Sequence, residues 1–318
     1  KNYFYLLNCH SVFTFVLSKA KNKVFFTSSP TRERVLANTK FISPNNLYST
    51  SGGGSYLTFN FTAGKRHYSS VEIKEFDFSN FYKLYKFYLG ENVLLPSKDF
   101  LTWLIGFSEG DGSFIISSKG LLFVISQGNK DIQILNFIKN TLGFGNVYSQ
   151  GVSVSRFIVQ DKKGIALICS LFNGNIVLPS KYSDFLLFFN KFNEIAIKGK
   201  LIVNQIDILP TLNILPTNND AWFSGFTDSE GCFTCSLLNS SNAFRFRFVL
   251  SQSLSVNKPI LDSFVYLFDN PRNIGKVFNH SQPDVFTFEV NGLENCSKLF
   301  PYFDKFPLKT KKLLRPAF

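Results

Sequence analysis

From Pro96 onward the apolar positions switch between helical spacing and strand alternation, and the switches mark out an order of elements. Ser97 is placed to cap a helix from Lys98 to about Glu109, with Asp99 in its first turn. Gly112 releases the chain into a strand over 113–118, and a second strand, 121–127, comes after a turn at Lys119 and Gly120. A helix is expected over 131–142. A hairpin of 146–148 and 154–160 comes next, then helices over 163–172 and 183–197. The second half repeats that order. A capping-box-like Thr217-x-x-Asp220 opens a helix running to about Ser229. Strands are expected over 232–238 and 243–252, a helix over 258–268, strands over 276–279 and 285–290, and a last helix from about Leu293. Each half therefore reads αββαββα.

The repeat extends to individual residues. Trp103–Phe114 reads WLIGFSEGDGSF and Trp222–Phe233 reads WFSGFTDSEGCF. Both of the chain's tryptophans fall at the same place in the two windows. Glu109 matches Asp228, Asp111 matches Glu230, and further along Phe123–Gln127 (FVISQ) matches Phe248–Gln252 (FVLSQ). An offset of about 119 residues means two copies of one α+β fold rather than a solenoid. The expected organisation is an extension over 1–95, a first half over 96–209 and a second half over 210–318, with Pro210 and Pro216 in the linker.

Composition adds a partner. The 318 residues carry 34 Lys and Arg against 22 acids, a net charge of +12, which on a folded chain points to a polyanion. Hydrophobic residues make up 45% of the chain, enough for a sizeable core. Phe is unusually common at 39, and Met is absent. Phe, Asn, Lys and Ile use AT-rich codons, as in organelle genes, and a chain without Met reads as a processed product or as the continuation of an upstream exon. The five cysteines are too few and uneven for a disulfide framework. Cys232-x-x-Cys235 is half a zinc site at most, because residues three apart on a strand face opposite ways.

Residues 1–95 carry no chemistry that can be read. The apolar run 3–17 is broken by Asn8 and His10 and is too short to span a bilayer. Residues 27–30, 43–46 and 49–55 are loop-like. The glycines of the last are not a phosphate loop, since no Gly-Lys-Ser/Thr comes after them. The stretch 76–89 has helical spacing and is expected to pack on the elements C-terminal to it.

Candidate chemistry lies in the repeated windows. Gly106 and Gly110 share one helix face, as do Gly225 and Ser229, so two such helices can approach backbone to backbone. A pseudo-twofold pairing would bring Asp111 and Glu230 together at the C-terminal ends of both helices. There they repel each other and meet the negative ends of two helix dipoles. A divalent cation relieves both, and hard oxygens suit Mg²⁺. Two carboxylates with divalent metal in a basic protein point to in-line displacement at phosphorus. Glu109 and Asp228, two residues back, are read as structural.

Leu104–Gly112 (LIGFSEGDG) and Phe223–Gly231 (FSGFTDSEG) resemble the LAGLIDADG motif, and the two-copy layout resembles the single-chain LAGLIDADG homing endonucleases of organelle introns. The resemblance covers about 96–312. It implies two αββαββα halves packed on the motif helices, with a saddle of antiparallel strands in the DNA major groove and cleavage of both strands to short 3′ overhangs. It implies Asp111 and Glu230 as metal ligands, helped by the carbonyls of Gly110 and Ser229. It implies Gln127 and Gln252 as residues orienting water, and Lys309 and Lys181 as phosphate-neutralising bases. Arg245 and Arg247, alternating with Phe244, Phe246 and Phe248, are the first candidates for reading DNA. Lys119, Tyr148, Gln150, Arg156, Lys276 and His280 are further ones. The implied partner is double-stranded DNA, bound by a monomer with internal pseudo-twofold symmetry and no membrane role, in a mitochondrion or a chloroplast. Two other functions stay open: a maturase that binds intron RNA, and a retained fold with a structural or RNA-binding role. Two departures from the minimal fold are the long N-terminal stretch and an end soon after Lys309, from which the second half is expected to lack a counterpart of the first half's last helix.

Overall fold

The computed structural model of the protein describes residues 12–18, 23–29, 74–198, 206–209, 214–237, 244–268 and 274–310. The chain divides into two compact units, Lys1–Val71 and Glu72–Phe318. The described part of the first is an antiparallel pair, β1 (Val12–Ser18) and β2 (Lys23–Ser29). Residues 27–29, expected as loop, are strand. The expected loops at 43–46 and 49–55 lie outside the described residues.

The second unit takes in the stretch 76–89, expected to pack on the elements C-terminal to it. Helix α1 (Ser79–Leu89) buries Phe81 and Tyr85, and the Tyr85 hydroxyl donates to the Leu142 carbonyl at 2.9 Å. Just ahead of it, Asp77 N–H donates to Asn175 Oδ1 and Asn175 Nδ2 donates back to the Asp77 carbonyl. Residues 74–95 are thus packed and hydrogen-bonded into the first half. Helix α2 (Lys98–Asp111) comes next, with Ser97 Oγ accepting from Phe100 N–H as its cap. Then come β3 (Gly112–Ser117), β4 (Gly120–Gly128), α3 (Ile132–Leu142), β5 (Asn146–Gln150), β6 (Val154–Val159), α4 (Lys162–Phe172) and α5 (Pro179–Ile197). Proline is suited to the first helical position, which is why α5 starts four residues before the expected Ser183.

The second half runs α6 (Trp222–Glu230), β7 (Gly231–Leu237), β8 (Phe244–Ser253), α7 (Lys258–Phe264), β9 (Lys276–Asn279), β10 (Val285–Asn291), α8 (Leu293–Ser297) and α9 (Phe300–Lys305). The Thr217–Asp220 pair forms, with Asp220 Oδ2 accepting from both Thr217 N–H and Oγ–H at 2.7 Å. It holds a turn ahead of the helix, and Asp220 Oδ1 accepts from Trp222 N–H where α6 starts.

The two sheets share topology and register. Their orders are β3-β4-β6-β5 and β7-β8-β10-β9, antiparallel throughout. Gly112 stands opposite Ile125, and Gly231 opposite Leu250. Behind each sheet lies an aromatic cluster. Phe114 packs on Phe123, Phe172 and Phe185 in one, and Phe223 on Phe248, Phe264 and Phe303 in the other. Much of the chain's phenylalanine is spent this way. On β8 only part of the expected alternation is realised: Phe248 is fully buried, but Phe244 at the strand's start is 63% exposed.

Candidate active site

Helices α2 and α6 cross with their backbones in contact because glycine occupies the crossing. A Cβ on Gly106 would stand 2.1 Å from the Trp222 carbonyl oxygen, and one on Gly225 would stand 1.9 Å from that of Trp103. No side chain fits at either place. One turn on, a Cβ on Gly110 would meet Ser229 Oγ at 2.1 Å and Glu230 Cγ at 3.0 Å. The Glu230 side chain therefore lies against the residue before Asp111. Both acids end their helices and are half-buried.

The same crossing explains the repeated tryptophans. Trp103 Nε1 donates to Asp228 Oδ2 and Trp222 Nε1 to Glu109 Oε1, each at 2.9 Å and each across the helix pair. Glu109 also accepts from Val177 and Leu178 N–H, and Asp228 from Lys309 N–H, Thr310 N–H and Thr310 Oγ–H. Glu109 and Asp228 are structural, as expected. They nonetheless face the interface, each tying the opposite helix to the segment that closes its own half. Burial raises the Glu109 pKa to about 7, against the pull of the Val177, Leu178 and Trp222 N–H donors and the charge of Lys181.

These amide pairs fix which residues of the two halves correspond. Val177 matches Lys309 and Leu178 matches Thr310, so Lys181 has its counterpart at residue 313, outside the described residues. The two candidate bases are placed differently. Lys181 is near the acids: its ammonium donates at 2.7 Å to the carbonyl of Gly112, the residue after Asp111. Lys309 is not brought there. Its ammonium lies 5.5 Å from the Trp103 ring centre and 5.3 Å from that of Phe137. Trp103 is two helical turns from Asp111, roughly 12 Å along the axis. Burial lowers the Lys309 pKa, against the charges of Asp228 and Asp99.

Gln127 and Gln252 occupy the same register, two residues past the partners of Gly112 and Gly231. Gln127 Nε2 donates to Asp111 Oδ2 at 2.5 Å. Gln252 Oε1 instead accepts from Ser253 N–H at 3.1 Å. Gly110 and Ser229 lie in the last turn of each helix, so their carbonyls and the two carboxylates would offer a cation oxygen donors only. Such a set fits a hard divalent cation. Among the described residues no group of three or more His, Cys, Asp or Glu is placed to hold a metal. Cys232 is exposed and Cys235 half-buried, on opposite faces of β7.

On the outer faces of the sheets the register gathers most of the remaining candidates. Tyr148 stands opposite Arg156, and Gln150 is two residues along on the same face. Arg245 and Arg247 stand opposite Ser236 and Thr234. Lys276 stands opposite Glu289, which itself reaches Arg247 at 3.5 Å. Glu289 is the outer-face residue that sequence reasoning missed, and it makes Arg247 half-buried while Arg245 is exposed. Lys119 lies in the β3–β4 turn, and His280, just after β9, accepts from Gln282 N–H at the sheet's edge. Among the described residues no helix is long and apolar enough to cross a membrane.

A family model described as LAGLIDADG endonuclease matches residues 104–192 and 223–315. A probable intron-encoded endonuclease of Neurospora crassa is 37% identical over 234 residues, covering 70% of this chain and 40% of that protein. An uncharacterised cox1 intron-2 protein of Schizosaccharomyces pombe is 29% identical, covering 70% and 65%. The intron-encoded RNA maturase bI4 of Saccharomyces cerevisiae is 26% identical over 306 residues, covering 96% of this chain and 40% of that protein. This chain thus spans between 40% and 65% of the length of these relatives. The LAGLIDADG meganuclease I-AabMI, solved bound to uncleaved DNA, shares the fold with a TM-score of 0.52 at 23% identity, over 67% of this chain and 86% of that one. I-SmaMI, solved with a DNA target in the presence of calcium ions, has a TM-score of 0.52 at 18% identity, over 67% of this chain and 86% of that one.

Proposed function

We propose that this chain, which belongs to the LAGLIDADG endonuclease family, is a site-specific endonuclease that cuts both strands of a DNA duplex at an intron insertion site, leaving short 3′ overhangs. The observation that carries the reading is the juxtaposition of Asp111 and Glu230 at the ends of two helices whose backbones touch. There both carboxylates meet the negative ends of two helix dipoles, which a divalent cation relieves.

Asp111, Glu230 and the carbonyls of Gly110 and Ser229 would hold divalent metal, with Mg²⁺ the natural occupant. Bound there, the metal supplies charge neutralisation at phosphorus and a water of lowered pKa. The chain's own residues do the rest. Gln127 fixes the Asp111 carboxylate with its amide N–H, and its carbonyl can accept from a water. Lys181 sets a positive charge beside the Asp111 end of the site, where a scissile phosphate gains charge. The outer sheet faces, with Arg245, Arg247, Arg156, Tyr148, Gln150, Lys276, His280 and Lys119, would lie in the major groove as a monomer's saddle. A net charge of +12 makes that binding strongly salt-dependent. Relatives encoded in cox1 introns, and one described as a mitochondrial protein, favour a mitochondrial origin.

One observation favours a second reading. The maturase bI4 matches 96% of this chain, including residues ahead of Glu72, whereas the Neurospora endonuclease matches 70%. The deciding experiment offers the protein, with Mg²⁺, two substrates: DNA spanning the uninterrupted parent locus, and the intron-containing transcript. Cleavage of the DNA upholds the endonuclease. Faster splicing with intact DNA would replace it with the maturase, and neither activity would leave a structural or RNA-binding role.

A further inference from the structure

The first turn of α5 has no cap of its own. Its N-cap residue, Leu178, makes no side-chain hydrogen bond, although the N–H groups of a helix start need acceptors. Two other elements supply them. Glu109, on α2, accepts from Val177 and Leu178 N–H. Asn257, in the second half, accepts from Ser180 N–H at 3.2 Å on its Oδ1. Its Nδ2 donates to Ser180 Oγ at 2.8 Å and to the Ser253 carbonyl at 3.0 Å. Asn257 is 1% exposed, so both of its donor hydrogens and one acceptor site are committed inside the protein.

The residue after Ser180 is Lys181, with its ammonium on the Gly112 carbonyl. A lysine stem has four rotatable bonds and no fixed direction, so where its ammonium rests depends on where its backbone is held. We propose that Asn257 is a positioning residue: acting from the second half, it fixes the first turn of α5 and thereby holds Lys181 beside Asp111. The inference rests on the reading of Lys181 as a phosphate-neutralising group. Asn257 lies five residues after Gln252, so the end of β8 and the short turn after it carry the second half's own glutamine and the anchor of the first half's lysine. The matching position in the first half is Asp131, which precedes α3 as Asn257 precedes α7, each at the end of a short 3-10 turn. Lys181 stands at the Asp111 end of the site, so loss of its anchor weighs on one strand cut more than on the other.

The test uses the full chain with Asn257→Ala, and with Ser180→Ala as a milder variant that removes one of the three bonds and keeps the helix. In the first arm, without DNA or metal, the rate of Lys181 acetylation is measured by peptide mass spectrometry, with the exposed Lys191 as reference. Acetylation of Lys181 should rise severalfold in Asn257→Ala and less in Ser180→Ala. A rate equal to wild type in both overturns the proposal. In the second arm, the two strands of a cleaved target are monitored separately under single-turnover conditions with Mg²⁺. One strand should slow by about tenfold or more and the other by less than about twofold, with DNA affinity unchanged. Equal slowing of both strands overturns it. If Asn257→Ala does not fold, the same two arms are read on Ser180→Ala. If the wild type cuts no DNA while Lys181 acetylation rises as stated, the positioning stands and the endonuclease reading falls.

Discussion

Replacing Gly106 with alanine tests the helix crossing on which the site depends. The new Cβ would stand 2.1 Å from the Trp222 carbonyl oxygen and 3.0 Å from Phe226 N, both backbone atoms that no rotamer change can move. Ordinary contact begins near 3.4 Å, so the helices must part locally by about 1 Å or more. Overpacking of this kind costs about 1–3 kcal/mol. Parting also stretches the indole bonds from Trp103 to Asp228 and from Trp222 to Glu109, and a buried group left unsatisfied costs about 1–3 kcal/mol. Alanine's better helix propensity returns about 1 kcal/mol. The net loss is on the order of 3 kcal/mol, which for a unit of this size lowers Tm by roughly 6–12 °C. Thermal unfolding by circular dichroism reads it. Gly128→Ala is the control, because its Cβ would meet only the Ser153 carbonyl oxygen, at 3.9 Å. Gly106→Ala unfolding within a degree of Gly128→Ala would refute the backbone contact.

At Gly110 the obstacle is a side chain, so Gly110→Ala should destabilise by about 1–3 kcal/mol and Ser229→Gly in the same chain should restore part of the loss; additive effects in chemical denaturation would contradict the contact. Gln127→Ala should slow cleavage more than Gln252→Ala, because only Gln127 donates to a motif acid among the described bonds. Single-turnover rates of the two variants decide, and equal slowing counts against that geometry. Arg245→Ala should weaken target binding by about 1–3 kcal/mol if Arg245 reads a base edge, and relax specificity at one position of the site. Titrations against target variants check this, and unchanged affinity and specificity would remove Arg245 from the interface.

The doubled window, its small residues and its shared register with FVISQ and FVLSQ make the two-copy αββαββα architecture legible in the sequence. Local spacing is enough there, because each element is set by its own period and its own turn residues. Partners across long separations are less legible. Glu109 and Asp228 read from the sequence only as structural acids, without a partner named, and each takes an indole N–H from 113 or 125 residues away. A signal was present: a buried indole needs an acceptor, and the two tryptophans repeat in step with two acids. Lys309 looks better placed than Lys181 by motif spacing. The amides that Asp228 and Glu109 accept from shift the correspondence between halves by several residues, and no sequence period carries that offset. Asp77 and Asn175 are likewise partners across 98 residues, a pairing that no local period shows.

Asp111 and Glu230 are proposed to act together on phosphodiesters, and nicking and linearisation of a plasmid carrying the uninterrupted locus, with Mg²⁺, by wild type, Asp111→Asn and Glu230→Gln decides it. Wild type should linearise the plasmid. Each variant should keep wild-type affinity for the site and cut slower by a factor on the order of 10² or more. Either variant linearising at the wild-type rate would contradict it.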